Sequence, residues 1–89
     1  MKNTIIIPNK DGTKKYFDFR FNQYISSRRI YVEDVCIIEI YKFNDHNYRL
    51  KYFFYKTKQI GFVDNIQSKK KTFEQIQFAL EQNVYKFVQ

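Results

Sequence analysis

Glycine and proline are almost missing from this chain. Two glycines and one proline among 89 residues exclude collagen-like and low-complexity architectures. Gly12 and Gly61 lie too far apart to build a glycine-rich phosphate loop. A single cysteine, Cys36, excludes an internal disulfide framework and any cysteine-rich zinc module. His46 is the only histidine and tryptophan is absent. No long apolar run exists, so no membrane-spanning helix is expected. The three isoleucines before Pro8 are too few for a secretory h-region. A cytoplasmic protein with a free thiol, no cofactor and no metal is therefore expected.

What the chain does contain is aromatic and basic. Phe and Tyr make up 20% of the residues and the apolar share is 44%, enough to disfavour intrinsic disorder. The length fits one domain over residues 1–89. Sixteen basic residues against nine acidic ones give a net charge of +7, which points to anionic partners. Codon bias discounts that charge. Phe, Tyr, Met, Ile, Asn and Lys, with AT-rich codons, account for 49 residues; Gly, Ala, Arg and Pro account for 8. An AT-rich genome follows, such as that of a low-GC bacterium, phage, plasmid or organelle. Only Arg20, Arg28, Arg29 and Arg49 are arginines, the more specific phosphate fork.

The pattern along the chain is mostly that of strands. Thr4–Ile7 reads as a short strand that Pro8 ends or confines to an edge. Asn9-Lys10-Asp11-Gly12 reads as a hairpin turn. Tyr16–Asn22 alternates with period two, placing Phe17, Phe19 and Phe21 on a buried face. Ser26-Ser27-Arg28-Arg29 reads as a loop. Ile30–Phe43 reads as a long strand, broken or bulged at Glu33-Asp34; a helix over Glu33–Lys42 is the competing assignment, and its β-branched residues favour a sheet. Asn44–Asn47 is a turn and Tyr48–Lys56 a returning strand. Centring the hairpin there sets Lys42 opposite Arg49, two like charges across from one another. Gln59–Asp64 reads as a further strand with a bulge at Gly61. After a polar stretch over Asn65–Lys71, Thr72 and Gln75 fit a capping box. The helix that follows carries Phe73, Ile76, Leu80 and Val84 on one stripe, with Asn83 as its stop. Residues 84–88 fit helix or strand equally. The expected fold is α+β: a mostly antiparallel sheet of four to six strands with one C-terminal amphipathic helix on one face.

Three groups of residues suggest binding chemistry. Lys69, Lys70 and Lys71 precede the expected helix start, where a phosphate would relieve the clash between their charge and the helix dipole. Arg28, Arg29, Lys42, Arg49 and Lys51 form one patch if the loop folds back to the sheet. Tyr55, with Tyr31, Tyr52 and Phe53, lies beside them. Cations interleaved with rings on a sheet suit single-stranded nucleic acid, in which charge tracks the backbone and rings stack on bases. Against this stands the need for core: with two leucines and one alanine, most of the eighteen rings must be buried.

Catalysis finds little support. His46 lies in a turn with no ligand cluster, and Cys36 has no activating neighbour in sequence. Small ribosome-dependent ribonuclease toxins are similar in size and charge but place helices first. No motif assigns a family. The layout of sheet, lysine-rich segment and capped helix is loosely similar to that of small single-strand-binding coactivator domains, a likeness of shape that serves as analogy only. The expected function is non-catalytic nucleic-acid binding, single strands preferred. The alternative is a phage- or plasmid-type inhibitor, or an assembly subunit, that binds a host or assembly protein. A homodimer through free strand edges is left open.

Overall fold

The structure, a computed structural model, describes residues 3–24 and 26–83. Two sheets and a helix share one core. Strands β1 (Thr4–Pro8) and β2 (Lys14–Asp18) form an antiparallel hairpin. Strands β3 (Ser27–Val32), β4 (Cys36–Asn44), β5 (Asn47–Phe54) and β6 (Ile60–Ile66) form an antiparallel meander in that order. Helix α1 (Lys69–Phe78) follows and runs into a π-helical turn at Ala79–Asn83. This is the α+β arrangement expected from the sequence; residues 84–88 lie outside the described residues.

Turn chemistry sets the first hairpin. Gly12 adopts a φ of +89°, which a side chain would strain. The Asn9 N–H donates to the Thr13 carbonyl at 2.9 Å. The Asp11 carboxylate accepts from the Thr13 N–H at 2.9 Å and from the Thr13 hydroxyl, and these bonds lower its pKa.

One face of the four-stranded sheet is buried. Ile30, Val32, Cys36, Ile38, Ile40, Tyr48, Leu50 and Ile66 point inward, following strict alternation. The β1–β2 hairpin and the helix cover them with Ile5, Ile7, Phe19, Ile76 and Leu80. Each fully buried Ile, Leu or Phe contributes about 1.5–3 kcal/mol. Gln77 fastens α1 to β1: the Ile6 N–H donates to Gln77 Oε1 at 3.1 Å, and Gln77 Nε2 donates to the Ile6 carbonyl at 3.0 Å.

Several local expectations are corrected. β2 ends at Asp18, so Phe19 and Phe21 lie beyond it; Phe19 is core, while Phe17 and Phe21 are half-buried against it. Ser27, Arg28 and Arg29 are strand rather than loop. The break at Glu33-Asp34 is a full reversal between β3 and β4, with Glu33 at a φ of 40°. Asn44 pairs with Asn47 as expected, but an irregularity between Lys42 and Asn44 shifts the rest of the ladder by one residue. Lys42 therefore faces Tyr48, and Tyr41 faces Arg49. The inward alternation of Cys36, Ile38 and Ile40 against Leu50, Tyr52 and Phe54 decides this, because a one-residue slip would expose that whole set. The β6 irregularity falls near Asn65, at a φ of 59°, and not at Gly61, which pairs regularly with Tyr52. The helix starts one turn early: the Lys71 N–H donates to Ser68 Oγ at 3.0 Å. Thr72 is buried inside the helix, its hydroxyl donating to the Ser68 carbonyl.

Candidate functional site

The second face of the four-stranded sheet has no described residue packed over it. Pairing lays its side chains out in rows. One row runs Tyr31, Ile37, Phe53, Ile60; the next runs Arg29, Glu39, Lys51, Phe62; a third holds Tyr41 opposite Arg49. Phe43 lies at the tip beside Arg49. Tyr31, Phe43, Ile60 and Phe62 are 48%, 57%, 53% and 56% exposed. Four large apolar side chains exposed on one face make it a candidate interaction surface.

The charges on this face are held in place by the rings and by one another. The Arg49 guanidinium lies 5.6 Å from the ring centroids of both Phe43 and Phe62, and its Nε donates to the Asp64 carboxylate. The Arg29 Nε lies 3.8 Å from Glu39. The Tyr31 side chain and then Glu39 raise the Arg29 pKa. The Tyr41 hydroxyl donates to Glu39, and that bond raises the Tyr41 pKa. Lys51 faces Glu39 across the strands without closing an ion pair. Arg29, Arg49 and Lys51 against Glu39 and Asp64 leave a small net positive charge.

The structure distributes the sequence-predicted residues over three places. Arg29, Arg49 and Lys51 share the open face, and Tyr55 follows β5 with its ring edge-on to Phe53 at 5.7 Å. Arg28 and Lys42 do not join them. Strand alternation sends Arg28 to the opposite face, 4.7 Å over the Phe17 ring, where its Nη1 donates to the Arg20 carbonyl at 2.6 Å. Lys42 closes an ion pair with Asp45 at 2.9 Å, which raises the Lys42 pKa and lowers that of Asp45. Lys69, Lys70 and Lys71 form the first turn of α1 on the covered side of the sheet. Lys69 is tied to Asn3 Oδ1 at 2.8 Å and sits over Phe19; Lys70 and Lys71 are exposed.

Sequence reasoning missed Phe43 and Phe62 as rings on this face and Glu39 and Asp64 as partners of its arginines. Period-two counting along β4 from Ile38 and Ile40 carries that signal for Glu39 and Phe43; Phe62 and Asp64 on β6 are placed by the β5–β6 pairing.

Burial pushes the Cys36 thiol up to about 12, far from a thiolate nucleophile. His46 lies in the β4–β5 turn, its N–H donating to Asn44 Oδ1. Among the described residues no three His, Cys, Asp or Glu side chains group to hold a metal ion, and no helix is long and apolar enough to cross a membrane. No family model, curated protein or solved structure matches the chain.

Proposed function

We propose that the protein is a non-catalytic module that binds single-stranded nucleic acid on the open face of its β3–β6 sheet. The observation that carries this reading is the interleaving of Tyr31, Tyr41, Phe43, Phe53 and Phe62 with Arg29, Arg49 and Lys51 on one uncovered surface. Rings at this spacing offer stacking platforms, and the cations between them follow a phosphate backbone. Asp64 holds Arg49 through Nε, which leaves its terminal nitrogens for phosphate. The net charge of +7 favours encounter with any polyanion.

A second reading rests on a different observation. The row Tyr31, Ile37, Phe53, Ile60 contains no charge, and Glu39 and Asp64 neutralise the two arginines. Such a surface also suits a protein partner, since interface cores are rich in aromatics and arginine and poor in unpaired charge.

Fluorescence anisotropy with labelled single- and double-stranded oligonucleotides, from about 50 to 200 mM salt, tests the first reading. Single strands are expected to bind more tightly, with a log-linear loss as salt rises. Tyr31→Ala and Phe62→Ala should each weaken binding by roughly 5- to 100-fold, as loss of one stacked base does. Lys51→Glu should weaken it further, and Lys14→Glu, the same charge change on the other layer, should have a smaller effect. Absence of binding at the lowest salt would overturn the nucleic-acid reading and favour the protein partner.

A further inference from the structure

A free sheet edge templates another chain unless something blocks it. Three of the four edges here are guarded. Gln77 occupies both outward groups of Ile6 on β1, which ends in Pro8. β2 carries Lys14 and Lys15, and β3 carries Arg28 and Arg29. β6 differs: from Ile60 to Val63 it has no charge and no proline, and no described residue pairs with its outer side.

The groups it presents follow from the ladder. The Phe54 N–H donates to the Gln59 carbonyl at 3.0 Å. The backbone of Gln59, and by alternation that of Gly61 and Val63, therefore faces β5. The N–H and carbonyl of Ile60 and Phe62 face outward. The side chains of Ile60 and Phe62 stand exposed on the open face.

We propose that this edge pairs antiparallel with the same edge of a second copy, about a two-fold axis at Gly61. Ile60 then lies opposite the partner subunit's Phe62, and Phe62 opposite the partner subunit's Ile60. The outward groups close about four backbone hydrogen bonds. The four exposed apolar side chains meet on one surface. Gly61 meets its own copy without a side chain between them, in open space where an added Cβ would touch nothing within 4 Å. The two sheets become one eight-stranded sheet with a continuous open face. The inference does not depend on what that face binds. The interface is small, at the weak end of specific contacts below about 1,200 Å², so association depends on concentration.

Sedimentation velocity from about 10 to 500 µM tests it. The sedimenting mass should rise with concentration from 11.0 kDa toward twice that value. Phe62→Pro removes an outward N–H while leaving the bonds to β5, and Gly61 tolerates a following proline. This variant should stay monomeric throughout. Ile60→Lys, which adds a charged guard to the edge, is the second variant and should shift association to at least ten-fold higher concentration. Tyr31→Asp, on the far strand of the open face, should still dimerise. A natural chain monomeric at the highest concentration would overturn the proposal. So would a dimer that survives both edge variants, or one abolished by Tyr31→Asp, which would mark face-to-face packing.

Discussion

Gln77 is where helix packing and edge protection meet, and Gln77→Ala is the substitution with the clearest expected cost. Its carboxamide makes two part-buried hydrogen bonds to the Ile6 backbone, at 3.1 and 3.0 Å. A hydrogen bond contributes a net ~0.5–1.5 kcal/mol, and a partly buried backbone group left unpaired costs ~1–3 kcal/mol. The loss should therefore be about 2–3 kcal/mol. For a domain of this size that lowers Tm by about 10–20 °C. Urea denaturation followed by circular dichroism measures it. Gln77→Met, which keeps the bulk but not the polar atoms, should lose nearly as much. Gln77→Glu keeps an acceptor for the Ile6 N–H but loses the donor to the Ile6 carbonyl, so it should fall between the natural protein and Gln77→Ala or below. A Gln77→Ala midpoint within about 0.5 kcal/mol of the natural one would show that the helix is held by its apolar stripe alone.

Other expectations follow from single groups. Cys36 should resist thiol reagents at pH 8 until the chain is unfolded in urea, since its thiol is buried and its pKa is raised. That shift has a definite sign. Below about pH 9 the thiol is protonated in both states; above it the unfolded chain loses the proton while the native thiol holds it to about 12. Tyr52, pushed up to about 12 chiefly by burial, acts in the same direction. Stability should therefore fall from about pH 9 toward 12, and Cys36→Ala should flatten that limb in a series of urea midpoints. Ser68→Ala removes the cap of α1 and should cost about 1 kcal/mol in the same assay. Lys70→Glu should raise Tm by about 2–5 °C, because the first turn of α1 holds three lysines and no acid.

The elements were legible in the sequence wherever one physical signal ruled. Asp11-Gly12 marked its turn, and the alternation around Ile38 and Ile40 marked a strand. The misread segments are those where two signals competed. Arg28 and Arg29 look like loop in a polar stretch, yet Ile30 and Val32, the inward residues of a paired strand, draw them into β3. Thr72 and Gln75 have the spacing of a capping box, but Ser68 caps first and the lysines fall within the helix. The register of β4 against β5 depended on one extra residue at the tip, Phe43, and no local pattern reveals such a bulge. That slip moved Lys42 away from Arg49 and changed which cations share a face. Alternation alone could have told which residues of each strand share a face, but not which cations of β4 and β5 meet there. Nor could it have told which side the helix would cover, because that depends on Ile76, Leu80 and Gln77 meeting β1 far away in sequence.

The reading of the open face is tested most directly by amide chemical-shift mapping on the isotope-labelled protein titrated with a short single-stranded oligonucleotide. Shifts should concentrate at Arg29, Tyr31, Ile37, Lys51, Phe53 and Phe62 and leave Ile5, Ile76 and Leu80 unmoved. Shifts centred instead on Lys69, Lys70 and Lys71 would place binding at the helix start and remove the sheet rings from the mechanism.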